Sequence, residues 1–232
     1  MTTKDRGFTL IELMISMVVG LVVLAAAYGV FDLQNKTLTT QEKLASVYQN
    51  ARIAMEMMGR EISMAGYNQT STGTTPLQRC KNALVTAGTA CAGIRAANAN
   101  SISFTMDVTN NAGTGSPDGD RDDPNENITY ELYTPSGSDV QVLGRKSSTS
   151  ASKQQVVEYV DALSFAYYKS DGTVWQSATN DLGDIRRVKI TITTRAATVD
   201  NSYTDPTHGD HYRRYTLTSY VFPRNLNYLE VL

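Results

Sequence analysis

The chain has 232 residues, a formal charge of −2 and 41% hydrophobic residues, which allows one membrane helix plus one folded head of ordinary size. That near-neutral balance argues against a nucleic-acid binder, which needs a basic face. A count of 13 Tyr against 5 Phe and 1 Trp, amid abundant Ser and Thr, suits β-structure with a wet outer surface.

The first element is a short polar leader, Met1-Thr-Thr-Lys-Asp-Arg-Gly7, running directly into Phe8-Thr-Leu-Ile-Glu12 and a long apolar stretch. A secretory signal carries its small-residue cleavage point after its apolar stretch. Here the one evident processing point, Gly7–Phe8, comes before it, so the apolar segment stays on the mature chain. Phe8 to Phe31 is about two dozen residues, and a helix of that length, rising about 1.5 Å per residue, spans the roughly 30 Å hydrocarbon core. Lys4 and Arg6 predict a cytoplasmic N-terminus, although Asp5 dilutes the signal. Glu12 is the anomaly: a carboxylate in a spanning helix costs about 2–3 kcal/mol near the centre and less toward the edge.

The run Gly7-Phe8-Thr9-Leu10-Ile11-Glu12 resembles the class III leader of type IV pilins and of type II secretion pseudopilins. The resemblance implies that prepilin peptidase cuts after Gly7 and that the new N-terminal Phe8 is methylated. Two readings of Glu12 stand. Either it reaches the cytoplasmic interface from one turn inside, or, as the resemblance implies, it meets the freed amine of a neighbouring subunit and sets the filament register. The same resemblance implies a single-pass inner-membrane protein with a periplasmic head that later enters a cell-surface pilus. Its partners would be other pilins and minor pilins, prepilin peptidase, the inner-membrane assembly platform and, through the N-terminal helix, membrane lipid, with no nucleic acid.

The helical signal continues past the membrane segment. Leu44, Val47, Ala51, Ala54, Met58, Ile62 and Ala65 recur at three- and four-residue steps and make one apolar stripe. Arg52, Glu56 and Arg60 occupy another face at i,i+4 spacing, and Gly66 is a natural stop. One helix from about Phe8 to Ala65 is predicted, with Met55, Met57, Met58 and Met64 filling irregular gaps in a core rather than forming a partner surface.

Beyond Tyr67 the pattern changes to short alternating runs between Ser/Thr/Asn/Gly/Asp clusters. Ile102-Phe104-Met106-Val108, Ile128-Tyr130-Leu132, Val140-Val142, Phe165-Tyr167, Val188-Ile190-Ile192 and Tyr215-Leu217-Val221 predict six to nine antiparallel strands with one wet face. Ser170-Asp171-Gly172 before Val174-Trp175 is a hairpin signal. Segments 68–79, 109–126, 144–154 and 196–211 read as polar, mobile loops. The fold class is α+β and pilin-like: a long N-terminal helix, membrane-spanning in its first half, packed on an antiparallel sheet head. The organisation is a leader at 1–7, a membrane or filament-core helix at 8–31, an amphipathic continuation at 32–66 and a β-rich head at 67–232.

Three stretches narrow the resemblance. Asn50 to Tyr67, Asp184 to Arg195 and Arg214 to Leu226, with its closing Arg-Asn-Leu, are similar to the helix end and last two strands of PilW-type minor pilins. J-type pseudopilins share the plan. The implied function is a structural subunit that primes or caps pilus assembly, with a J-like pseudopilin or a calcium-dependent adhesive tip module as alternatives.

Cys80 and Cys91 are the only cysteines, and in an exported head they are expected to form one disulfide, the alternative being two reduced thiols. Asp118-Gly-Asp120-Arg-Asp122-Asp123-Pro-Asn-Glu126 places carboxylates at i, i+2 and i+4, as the first half of a calcium loop does. Asp118, Asp120 and Asp122 would be ligands, completed by Asp123 and Glu126. Asp123 stands where an EF-hand has Gly and Thr129 where it has the bidentate Glu, and the alternative is a merely solvated loop, the usual state of an acidic segment. Calcium-binding loops are known in pilins and pseudopilins, and Ca2+ is the only cofactor expected. Asp205-Pro-Thr-His208-Gly-Asp210-His211 has transition-metal ligand types, but reads as a plain surface loop. No nucleophile, phosphate-cradling or paired-cysteine motif is present, so no enzyme is predicted.

Overall fold

Leu10–Ser63 forms one unbroken α-helix, α1, in a computed structural model that describes residues 7–67, 93–109, 117, 123–147, 152–177, 179 and 181–226. No proline interrupts the segment, and Gly20 and Gly29, each a weak point in a helix, leave it continuous. The chain divides into two compact units at Leu44 and Ala45. In the first, the helix exposes its apolar side chains, Leu10, Leu13, Val18, Leu21 and Leu24 among them. In the second, the helix sinks the predicted stripe: Val47, Ala51, Ala54, Met58 and Ile62 are buried. Full burial of Met58 and Ile62 contributes about 1.5–3 kcal/mol each.

The helix ends two residues earlier than its periodicity predicts, in a turn closed by Gly66. Gly66 takes a φ of +81°, and its N–H donates to the Thr105 carbonyl at 2.8 Å. A Cβ there would stand 2.6 Å from Leu226 Cδ2, so glycine is required by both conformation and space. Of the methionines, Met58 is fully buried, Met55 and Met57 pack partly against the core, and Met64 is exposed.

Eight strands follow among the described residues: β1 (Gly93–Ala97), β2 (Ser101–Thr105), β3 (Asn127–Tyr133), β4 (Val142–Ser147), β5 (Gln154–Glu158), β6 (Val160–Tyr168), β7 (Arg187–Arg195) and β8 (Arg214–Val221). They form two antiparallel sheets rather than one, a five-stranded meander β1-β2-β3-β4-β5 and a three-stranded sheet β6-β7-β8. The change of sheet takes a single residue. Tyr159, with a φ of 58°, turns the chain between β5 and β6, and its carbonyl accepts from Arg195 N–H at 2.9 Å. On β7 every second residue from Val188 to Thr194 is buried. The inward residues of both sheets join the helix stripe in one core, with Phe104, Tyr130, Leu143, Phe165 and Ile190 at its centre.

Two strands lack the alternating apolar signal: β1 is Gly-Ile-Arg-Ala-Ala and β5 is Gln-Gln-Val-Val-Glu. Residues 144–147, predicted as loop, continue β4. The Ser170-Asp171-Gly172 turn forms with Gly172 at a φ of +83°, yet its return strand is reduced to one bridge, Tyr168 to Val174. Cys80 and Cys91 lie outside the described residues, as do Asp118, Asp120 and Asp122.

Candidate functional site

Glu12 and Thr9 form a reciprocal cap at the start of α1. Thr9 N–H donates to Glu12 Oε2 at 2.9 Å, and the Thr9 hydroxyl donates to the same oxygen at 3.0 Å. Glu12 N–H in turn approaches Thr9 Oγ1 at 3.3 Å. Two of the backbone donors that a helix start leaves orphaned are thereby satisfied. The negative charge also sits in the first turn, where the helix dipole favours it. Oε2 is occupied, which leaves Oε1 as the oxygen open to a further cation. Thr9 is missing from the residues singled out by sequence, although Thr-x-x-Glu ahead of an apolar run is the written form of this box. Gly7 and Phe8 precede the helix and are exposed, Phe8 at 84%, as a processing point must be. The helix behind them contains an 18-residue window of mean hydropathy 2.5, long and apolar enough to cross a membrane.

Residues 2–28 match the family model of the prokaryotic N-terminal methylation motif. The match covers the leader and the first part of the apolar helix. The motif is one of N-terminal methylation, and the apolar helix long enough to cross a membrane begins within it. Among solved structures, the type IV-like pilin TTHA1219 from Thermus thermophilus is similar at a TM-score of 0.42 and 10% identity, over 77% of this chain and 97% of that one. No curated protein matches the sequence.

In the second unit, the described carboxylates of the acidic segment are buried rather than solvated. Asp123 is 4% exposed and Glu126 fully buried. Glu126 Oε1 accepts the backbone N–H groups of Val108 and Thr109, each at 2.9 Å, and so fastens the chain after β2 to the start of β3. Among the described residues, the buried Glu126 Oε2 has no hydrogen-bond partner. Burial, with repulsion from Asp107, raises the Glu126 pKa despite these amide bonds. Asp107, absent from the sequence reading, is itself fully buried. Among the described residues no group of three His, Cys, Asp or Glu is arranged to hold a metal.

The His208/His211 loop does not gather its ligand types into a metal site. Asp205 Oδ1 accepts from the backbone N–H groups of Thr207 at 2.8 Å and His208 at 2.9 Å. Asp210 grips Arg214 through two contacts of 2.6 Å, and His211 Nδ1 is directed at the Tyr203 carbonyl. Segment 196–211, read from sequence as mobile, is therefore tied to β8, because its carboxylates find backbone donors and an arginine. The Asp205 pKa is held well below the ordinary range, first by those backbone N–H groups. That of Asp210 is lowered to about 2 by Arg214, and that of Asp200 to about 2 by Ser202 and Arg213. Depressed carboxylates stabilise the fold above their unfolded pKa, near 3.9, and lose that contribution as pH falls through the folded value. The amide shifts of Ser202 and Tyr212, whose N–H groups bond Asp200 and Asp210, should thus hold steady from neutral pH to about 4. They should titrate with midpoints near 2. A midpoint near 4 in an NMR titration would show the carboxylates to be free.

Beneath the five-stranded sheet, α1 contributes one charge to the core. Glu61 Oε2 accepts from the Tyr130 hydroxyl at 2.6 Å, and Arg145 Nε lies 3.1 Å from both Glu61 oxygens. Arg145 also donates to Asn125 Oδ1 at 3.1 Å. Tyr130 and Arg145 are register partners on β3 and β4, which is why both reach the same carboxylate.

Proposed function

We propose that this chain is a minor pilin, a structural subunit that primes or caps assembly of a type IV pilus. The observation that carries the reading is the coincidence, in one segment, of the methylation motif over residues 2–28, an apolar helix behind it and a carboxylate in that helix's first turn. In this reading segment 8–31 stores the subunit in the inner membrane with its head in the periplasm. Cleavage after Gly7 exposes the amine of Phe8. Glu12, with Oε2 already tied to Thr9, offers Oε1 to the corresponding amine of a neighbour, and extraction by the assembly platform carries the helices into the filament core. The similarity of Arg214 to Leu226 to the closing strand of PilW-type proteins supports this reading, and a J-like pseudopilin, which shares the plan, is the alternative. Co-purification of the tagged full-length chain with its co-encoded prepilins decides between the two machines.

Mass spectrometry of the mature N-terminus tests the processing step. The expected species begins with methylated Phe8, and Gly7→Val should leave the precursor uncut in the membrane, because a branched side chain obstructs the peptidase. An intact Met1, or a cut beyond Ala25, removes the proposal.

A calcium-dependent head is a second reading, favoured by the buried, unpartnered Glu126 Oε2. A carboxylate oxygen in that position takes either a proton or a cation. With Asp118, Asp120, Asp122 and Asp123 as further ligands, stabilisation should rise about 1.4 kcal/mol per tenfold excess of free calcium over its dissociation constant. Thermal unfolding of the full chain in detergent, with calcium and with chelator, is the measurement. No shift at millimolar calcium, or an equal shift in Asp120→Ala/Asp122→Ala, leaves Glu126 to be satisfied by a proton.

A further inference from the structure

In and beside the three-stranded sheet, three arginines among the described residues stack on tyrosines, and two of them also pair with a carboxylate. Arg195 lies over Tyr212 at 4.4 Å and pairs with Asp161 at 2.9 Å. Arg213 lies over Tyr203 at 4.4 Å and pairs with Asp200 at 2.7 Å. Arg187 is stacked as well, 4.5 Å from the Tyr168 ring centroid and 5.1 Å from that of Tyr220. Those two rings, 6.2 Å apart, come from β6 and β8 on either side of β7 and fix the guanidinium between them. Yet among the described residues no carboxylate lies within ion-pair distance of Arg187, and its Nε is buried with no hydrogen-bond partner. A guanidinium held in place with its donors unused is a preorganised receptor for a carboxylate, which it can take through two parallel bonds.

The surroundings say what kind of carboxylate fits. Arg187 lines a recess of about 250 Å3 with Lys169, Arg186 and Phe222, smaller than the 300–1,000 Å3 usual for a drug-sized or cofactor ligand. The recess has room for one side chain. Around it Phe222 and Val174 are each 57% exposed and Tyr220 is 49% exposed, and Val174 is joined to Tyr168 by a bridge. Aromatic side chains beside a central arginine are the composition of a protein–protein hot spot rather than of a small-ligand pocket. Asp171, 3.9 Å from the recess's Lys169, is taken up by the Thr173 N–H at 2.8 Å and hydroxyl at 2.6 Å.

We infer that this recess is a docking site for an acidic side chain, flanked by an apolar residue, of another polypeptide. The carboxylate completes the pairing that Arg187 lacks, and the neighbouring apolar group covers Phe222 and Val174. The inference goes beyond the subunit reading and does not depend on which machine the chain serves.

The test is calorimetric titration of the full-length chain in detergent with the short peptide Ser-Phe-Glu-Ala-Gly and its Ser-Phe-Gln-Ala-Gly counterpart. The Glu peptide is expected to bind about tenfold more tightly than the Gln peptide, the equilibrium worth of one charge-assisted pair. Arg187→Gln should remove that preference, while Arg95→Gln, a cation on the other sheet, should keep it. Arg187→Lys, which retains charge without the planar fork, should fall between. Unchanged emission from Trp175 certifies the fold of each variant. Equal binding of the two peptides, no binding at millimolar peptide, or an Arg187→Gln variant that still discriminates would each overturn the proposal. Binding to phosphatidylglycerol vesicles without peptide discrimination would overturn it too, in favour of a lipid headgroup.

Discussion

Arg145→Met is expected to destabilise the head by about 3–5 kcal/mol, because it strands a buried carboxylate. The Arg145 and Glu61 side chains are only 6% and 12% exposed. Without the guanidinium, Glu61 keeps one hydrogen bond, from the Tyr130 hydroxyl, which cannot offset the loss of water around an ionised group. The same substitution frees Asn125, which Arg145 holds through its side-chain oxygen and which sits at a φ of 70° just ahead of Glu126. The double variant Glu61→Leu/Arg145→Met should recover much of the loss, since replacing both partners by apolar groups leaves no charge behind. Urea denaturation of the full chain, followed through the single tryptophan, Trp175, provides the readout. A loss below about 1 kcal/mol for Arg145→Met would mean that water reaches Glu61.

Glu12→Ala is expected to permit cleavage and membrane insertion but to lower incorporation into the filament by about ten- to a hundredfold. That range is the equilibrium equivalent of losing a charge-assisted contact of about 1.5–3 kcal/mol. The alanine variant by itself confounds two roles, because it also removes the cap that Glu12 makes with Thr9, worth about 0.5–2 kcal/mol. Glu12→Gln separates them. Its side-chain oxygen can still accept from Thr9 N–H but carries no charge. If Glu12 acts by meeting a neighbour's amine, Gln fails as Ala does; if it acts only as a cap, Gln restores assembly. Normal piliation with Glu12→Ala as the sole allele would reduce Glu12 to an interface residue.

The long helix was legible because its information is local and periodic. Val47, Ala51, Ala54, Met58 and Ile62 recur on one face and are the residues found buried. Gly66 marks the stop by backbone geometry that glycine adopts with least strain. Strands β2, β3, β6, β7 and β8 were legible through alternation. By contrast, β1 and β5 have sequences too short or too polar to alternate, and are strands because a neighbour supplies their hydrogen bonds. The anchoring of the loop at 196–211 was not legible for a related reason. Its Asp residues signal solvation until Arg213 and Arg214, further along the chain, are brought against Asp200, Asp205 and Asp210.

The candidate sites divide the same way. The sequence alone determined the N-terminal motif, the apolar span and the position of Glu12 within it, because a peptidase and a bilayer read a linear segment by its order and hydropathy. Tertiary structure alone decided which charges are paired. Glu61 meets Arg145 across 84 residues, and Glu126 reaches back to Val108 and Thr109. Among the described residues Arg187 is left between two tyrosines without a carboxylate, because strand register, not sequence spacing, chooses its neighbours. An ion pair depends on a few ångströms in space, and in an antiparallel sheet that proximity comes from residues far apart in the chain.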